Sequence, residues 1–445
     1  MDDHQEATPA PEDEVAQICA DLIRFESVNY GDGSGPGERK TAEYFMELLT
    51  EVGLEPVLLE SEPGRASVMV RVAGSDPSRP GLAVHGHLDV VPAEAADWQV
   101  HPYSGEERDG CIWGRGAVDM MDMDAMIIAN LRHMARTGEK PLRDTTFAFF
   151  ADEESGGRLG SHWIVDHHPE WFDGVTEAVS EVGGYSVTVP RTGTGEPTRA
   201  YLIQTAEKGI VWLRLHARGR AGHGSVPNDA NAVVRLAEAI SRIAAYQWPR
   251  EYIASVQALL DGVAELTGTE YAPDDPSPIL RELGGASGFV LGTLSDTSTF
   301  TMLDAGYKTN VVPQHALASL DCRFLPGHED DLMATVKELA GEYIDIEVQL
   351  RDIALDAPLS GDLVTAMTSS LLREDPDATV LPYCLSGGTD NKALSRLGIT
   401  GYGFAPLRLP AHLEFANMFH GIDERVPVES LRFGTRVLRD FLRQA

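Results

Sequence analysis

The chain is short of cysteine, of positive charge and of long apolar runs, and each shortage closes a class of function. Its four cysteines (Cys19, Cys111, Cys322, Cys384) are scattered, with no C-x-x-C pair. That argues against a disulfide framework or a thiolate zinc site and points to a reduced, cytoplasmic setting. Lysine and arginine number 36 against 69 acidic residues, a formal net charge of -33. A field of that sign repels nucleic acid and anionic membranes, so neither is expected as a partner. No apolar run approaches the ~18 residues of a spanning helix. Residues Met1 to Glu14 lack the basic-then-apolar pattern of a leader and read as a disordered acidic tail. With 43% hydrophobic residues in 445, the remainder carries enough apolar surface for a large core and two domains.

What the chain does have is acids and imidazoles at the ends of apolar runs. Leu82, Ala83 and Val84 read as a short buried strand that delivers His85-Gly86-His87-Leu88-Asp89-Val90-Val91-Pro92 to its carboxyl end. Ligands of open α/β sheets sit there. His87 and Asp89 are two apart, which on a strand lets the aspartate meet the second imidazole nitrogen, as a metal-bound histidine requires. Thr145 to Phe150 is apolar on both faces, like a buried parallel strand, and ends in Asp152-Glu153-Glu154. Three consecutive acids repel one another unless a cation offsets the repulsion. Ala178 to Ser180 repeats the pattern and ends in Glu181-Val182-Gly183-Gly184.

Two glycine-rich stretches carry no nucleotide signature. Residues 31–37 lack the Lys-Ser/Thr of a phosphate loop, and Gly114-Arg115-Gly116 reaches an aspartate, Asp119, where a third glycine belongs. Asp119 precedes a helix expected over Met120 to Met134, so two readings stand: an N-cap or a metal ligand.

The character of the chain changes near Glu207. Ile210 to Ala217 alternates like a half-exposed antiparallel strand. Gly222-His223-Gly224-Ser225-Val226-Pro227 then leads into a helix over 230–244. Residues 252–286 read as less regular. Strands are expected over 288–293, 299–303, 308–313 and 316–323, then a helix over 329–343 and a strand over 344–350. The resulting β-α-β-β-α-β order predicts an inserted α+β unit. The expected division is a tail (1–14), an α/β catalytic domain in two parts (15–206 and 355–445) and an inserted domain (207–354).

Taken in order, His85-Gly86-His87-Leu88-Asp89, Gly114-Arg115-Gly116-Ala117-Val118-Asp119, Asp152-Glu153-Glu154, Gly222-His223-Gly224, Gly387-Gly388-Thr389-Asp390 and His420-Gly421-Ile422-Asp423-Glu424 resemble one family. It is the zinc-dependent aminoacylase/carboxypeptidase/desuccinylase metallopeptidases, and the resemblance runs from about Val15 to Leu442. The stretch Asp97 to Asp119 is most like the branch acting on Gly-X dipeptides and N-acyl amino acids.

The resemblance implies a zinc-exopeptidase-like domain with a mostly parallel central sheet and an inserted dimerisation or lid domain. It implies two Zn2+ per subunit, with Co2+ or Mn2+ as substitutes, bridged by Asp119 and completed by His87 and Glu181 on one side and by Glu154 and His420 on the other. Glu153 would be the general base, taking a proton from a bridging water and passing it to the departing amine. Asp89 would orient His87, and the peptide after Asp119 would be cis. A homodimer is implied, with His223 reaching the partner's site, and Asn310, Arg323 and the Gly387-Gly388 backbone would grip a substrate carboxylate. Read from the residues alone, Arg323 fits a strand-edge salt bridge equally well, and His223 fits a helix-entry loop.

One departure stands out: Met120-Met121-Asp122-Met123 replaces the Lys-Gly pair common after the bridging aspartate. The expected activity is hydrolysis of the amide bond of a dipeptide or N-acyl amino acid, a small substrate with a free carboxylate. A biosynthetic deacylase such as succinyl-diaminopimelate desuccinylase would need further basic residues, which the sequence does not mark. A non-catalytic binding protein would have no use for Glu153.

Overall fold

Strands that are apolar on both faces must be covered on both sides, and the middle of the main sheet meets that demand. The computed structural model describes residues 9–193 and 196–445, so most of the expected tail, residues 1–8, lies outside the described residues. The last tail residues are not a tail. Pro11 opens helix α1 (Pro11–Ile23), a position where the missing N–H of proline costs nothing.

The catalytic strands are β1 (Val57–Glu62), β2 (Arg65–Val72), β3 (Gly81–His87), β4 (Thr145–Phe150), β5 (Val175–Ser180), β6 (Tyr185–Pro190) and β7 (Pro197–Glu207). The inserted strands are β8 (Gly209–Arg218), β9 (Thr297–Ala305), β10 (His315–Phe324) and β11 (Ile344–Asp352), after which β12 (Leu355–Asp356), β13 (Thr379–Leu385) and β14 (Thr400–Gly403) return to the main sheet. That ten-stranded sheet has the order β1-β2-β4-β3-β5-β14-β7-β12, with β6 and β13 also paired to β7. Its centre, β4-β3-β5-β14, is parallel, and the flanking pairs β1-β2, β2-β4 and β7-β14 are antiparallel. Every residue of β3 and β4 is buried. The expected parallel sheet therefore holds at the centre, where the carboxyl ends of β3, β4 and β5 open side by side.

The inserted sheet is antiparallel in the order β9-β10-β8-β11. Val211, Leu213, Leu215, Leu320 and Cys322 face one way, into a core shared with Leu236, Ile243, Leu332 and Val336. These last residues belong to helices over 232–245 and 329–340, which follow β8 and β10 in the chain.

The stretch between them departs from expectation in two ways. Residues 254–267 form a helix, further helical turns cover 277–282 and 287–291, and no strand runs over 288–293. Val256, Leu259, Leu260 and Val263 bury into the catalytic core rather than the inserted one. The expected inserted domain is thus interrupted by a segment that belongs physically to its neighbour. Three apolar residues, Phe289, Val290 and Leu291, do not distinguish helix from strand, and here the chain turns helical. Among the described residues, no helix is long and apolar enough to cross a membrane.

Candidate active site

Five side chains from five separate segments converge on the carboxyl ends of β3, β4 and β5. His87 comes from the last residue of β3, Glu154 from the turn after β4, and Glu181 from the residue after β5. Asp119 comes from the loop before the helix Met121–Thr137, and His420 from a loop where it adopts a left-handed φ of 57°. His87 Nε2 lies 3.1 Å from Asp119 Oδ1 and 3.5 Å from Glu181 Oε2. His420 Nε2 lies 3.2 Å from Asp119 Oδ2 and 3.1 Å from Glu154 Oε2. The two oxygens of Asp119 thus face two different imidazoles, each with its own glutamate. Asp119 does not cap the helix, which begins after Met120 with no side-chain cap. The Asp119–Met120 peptide is cis.

Ligand atoms of His87, Asp119 and Glu154, and those of His87, Glu153 and Glu181, lie within 4.8 Å of one another in each group. Burial pushes the Glu153 and Glu154 carboxyls upward and Glu181 to about 8. Burial also acts to raise Asp119, but hydrogen bonds from His420 and His87 outweigh it and hold this carboxyl well below the usual range. Asp119 and Glu154 in turn push the His420 imidazole up to about 10. So much buried negative charge, answered by two imidazoles, calls for a cation. Glu154 Oε1 is buried with no hydrogen-bond partner, which leaves an acceptor free for one. A donor set of imidazole nitrogens and carboxylate oxygens without thiolate fits a divalent metal at an open, catalytic type of site.

The orientation of His87 differs in one atom from expectation. Its Nδ1 meets the backbone carbonyl of Asp89 at 2.9 Å, while the nearest Asp89 carboxylate oxygen is 3.7 Å away. Because β3 ends at His87, the strand alternation that would align Asp89 with the imidazole no longer applies. The Asp89 carboxylate instead accepts the backbone N–H groups of Glu153 and Glu154, both at 3.1 Å, and Asn29 Nδ2 at 2.9 Å. His85 is structural: its Nε2 meets Asn391 Oδ1 at 2.9 Å, and burial lowers its pKa to about 4.

A cavity of about 770 Å³ opens over these groups, lined by Glu153, Glu154 and His420 and by the loop Gly387-Gly388-Thr389. The opposite wall is the inserted sheet, presenting Trp212, Arg323 and Leu350. Arg323, Gly387 and Gly388 are therefore brought to the site. Arg323 is also ion-paired to Asp321, with Nε to Oδ1 at 2.7 Å and Nη2 to Oδ2 at 3.0 Å, so the salt-bridge reading is realised in this state. His223 and Asn310 are not among the cavity-lining residues. Both are exposed beside the small ladder of Gly222–His223 with Val311–Val312, where Gly224 N donates to Asn310 O at 2.9 Å.

Sequence reasoning missed three contributors. Asn29 ties Asp89 to Asp152. Glu424 accepts from Val118 N at 2.7 Å and Arg115 Nη1 at 2.6 Å, anchoring the loop that carries Asp119. Lys392 is buried in the cavity wall. Glu424 closes the motif His420-Gly421-Ile422-Asp423-Glu424; the other two depend on long-range packing that no local pattern reveals.

The profile of peptidase family M20/M25/M40 matches residues 83–444. The chain belongs to this family. Among M20/M25/M40 relatives, it is 27% identical over 436 residues to N-fatty-acyl-amino acid synthase/hydrolase PM20D1 of Xenopus tropicalis, covering 94% of this chain and 83% of that protein. It is 24% identical to human aminoacylase-1, covering 86% and 84% respectively. In structure it is similar to the M20 family metallo-carboxypeptidase Sso-CP2 of Sulfolobus solfataricus, with a TM-score of 0.74 at 18% identity over 97% and 99% of the two chains.

Proposed function

We propose that the protein is a di-zinc amidohydrolase that releases an amino acid from N-acyl amino acids or dipeptides. The observation that carries the reading is the double use of Asp119, one oxygen toward His87 and the other toward His420. In this reading His87, Glu181 and Asp119 hold one cation, and His420, Glu154 and Asp119 hold the second. Bound there, the cations supply Lewis acidity that polarises the scissile carbonyl and makes water nucleophilic at neutral pH. Glu153 is fixed through its backbone N–H by Asp89 while its side chain lines the cavity. It takes the proton from the attacking water and returns it to the leaving amine. The family relatives support this substrate class, one being named for N-fatty-acyl amino acids and another an aminoacylase.

The same reading includes a homodimer. Met302 and Leu303 on β9, an edge strand, and the nearby Tyr307 are 69%, 67% and 81% exposed. An apolar open edge of that kind is a template for a second copy, which would carry His223 toward its partner's cavity to stabilise developing negative charge. Four free cysteines suit a reduced compartment such as the cytoplasm.

The test is amino-acid release from Gly-X dipeptides, N-acetyl and long-chain N-acyl amino acids, with zinc, with chelator, and with Glu153→Gln. Release that is lost on chelation and falls by roughly 10²- to 10⁴-fold in the variant is expected for a general base. Undiminished turnover by Glu153→Gln would overturn the assignment.

A further inference from the structure

The side of the inserted sheet turned away from its own helices changes character along β8. At the far end it is charged: His216 Nε2 lies 2.8 Å from Glu347 Oε2 and Arg218 Nε lies 3.0 Å from Asp345 Oδ2, both pairs made with β11. At the end that roofs the cavity it is apolar, with Ile210, Trp212 and Leu350 among the lining residues. Trp212 on β8 and Leu350 on β11 are direct cross-strand partners, so their side chains stand together on one face. The indole is 43% exposed. A large apolar surface is thus left open inside the cavity, on a face whose other positions along β8 carry charge.

Leu350 fixes where this surface lies relative to the reacting groups. Its Cδ1 is 3.8 Å from the place that a Cβ on Gly156 would take, and Gly156 is three residues after Glu153 on the same turn. On the other side of β8, Arg323 is the direct partner of Ile210. From β10 to β11 is two strand spacings, about 10 Å. A substrate whose carboxylate lies on the Arg323 side has its amino-acid side chain on the carbon next to that carboxylate. Its acyl chain leaves from across the scissile bond, away from Arg323 and toward the acidic turn. The cavity of about 770 Å³ falls in the upper part of the ~300–1,000 Å³ that takes drug-sized ligands, more room than an acetyl group fills.

We propose that Trp212 and Leu350 form the platform on which an apolar acyl chain of the substrate lies, so that the inserted domain selects substrates by acyl length. The proposal rests on the hydrolase reading above and names the acyl class, unbranched chains longer than acetyl.

The experiment measures kcat/KM on N-acetyl-, N-hexanoyl- and N-octanoyl-leucine, and on N-acetyl-alanine and N-acetyl-phenylalanine. It compares wild type with Trp212→Gln, Trp212→Phe and Leu350→Thr. A methylene laid on a flat platform loses about half its exposed surface, worth roughly twofold, so the six methylenes between acetyl and octanoyl predict a wild-type preference of roughly 60-fold. Trp212→Gln should cut that ratio to below about 10-fold and Leu350→Thr should cut it less, while Trp212→Phe keeps most of it. The order across the three amino-acid side chains should follow wild type in every variant. A wild-type ratio retained by both Trp212→Gln and Leu350→Thr, or a change confined to the side-chain series, would overturn the proposal. So would equal losses on acetyl and octanoyl substrates, the mark of a structural role. Should Trp212→Gln not unfold cooperatively, Leu350→Thr decides. Wild type without chain-length preference, or active on dipeptides alone, refutes this inference alone; wild type that releases an amino acid from none of these refutes the hydrolase reading with it.

Discussion

Replacing Asp89 separates two ways of building this site. Its buried carboxylate accepts three hydrogen bonds, from Glu153 N and Glu154 N at 3.1 Å and from Asn29 Nδ2 at 2.9 Å. Asparagine keeps the size but turns one acceptor oxygen into a donor, so at least one of these donors faces another N–H. A buried donor stripped of its acceptor costs about 1–3 kcal/mol. Alanine strips all three, roughly tripling the figure before any relaxation. The two N–H groups belong to the turn that carries Glu153 and Glu154, so the cost falls on their placement. At 1.4 kcal/mol per tenfold, kcat of Asp89→Asn should drop by roughly 10- to 100-fold at saturating divalent cation. His87 should keep its orientation, because its Nδ1 is held by the Asp89 backbone carbonyl, which the substitution leaves in place. The assays are kcat at saturating zinc and urea unfolding of both variants. Wild-type kcat with only weakened cation binding would refute this reasoning and return the carboxylate to the imidazole.

Gly86→Ala places a Cβ 2.2 Å from Asp124 Oδ1 and 2.7 Å from Met120 Cε. Overpacking of about 1–3 kcal/mol should appear in urea unfolding, with weaker cation binding because His87 is the next residue. Burial acts to raise the Asp375 carboxyl, but Arg199 and Tyr201 outweigh it and hold it below its ordinary range. A depressed carboxyl stabilises above its unfolded pKa of about 3.9, and the stabilisation is lost as pH falls through the folded value. Arg199→Ala should therefore be less stable than wild type at pH 7, with the gap closing below about pH 4 in denaturation curves. Leu303→Asp on the exposed β9 edge should shift sedimentation toward monomer; an unchanged dimer would move the interface elsewhere.

The parts of the molecule visible in the sequence are those where a local pattern and a tertiary role coincide. Alternation over Ile210–Ala217 is the alternation of burial in β8, and the runs ending in His87, Glu154 and Glu181 are the central strands themselves. The central strand β14, Thr400–Gly403, escaped because a sequence with two glycines has little strand propensity of its own. The helix Ala254–Thr267 was overlooked although Val256, Leu259, Leu260 and Val263 have helical spacing. What the sequence did not reveal there was its packing against β13 in the other core. In the site, residue types were legible and their bonding was not. Asp89 bonds the acidic turn because β3 stops two residues earlier, and Lys392 Nζ donates to a carbonyl 184 residues away, that of Lys208.

Cation stoichiometry tests most directly whether Asp119 joins two cation positions. Protein stripped of metal and titrated with zinc under a competing chelator should take up two ions per chain, with hydrolysis appearing as the second binds. Asp119→Ala should lose tight uptake at both positions together with activity. A single ion per fully active wild-type chain, or an Asp119→Ala variant that still binds two and hydrolyses, would contradict it.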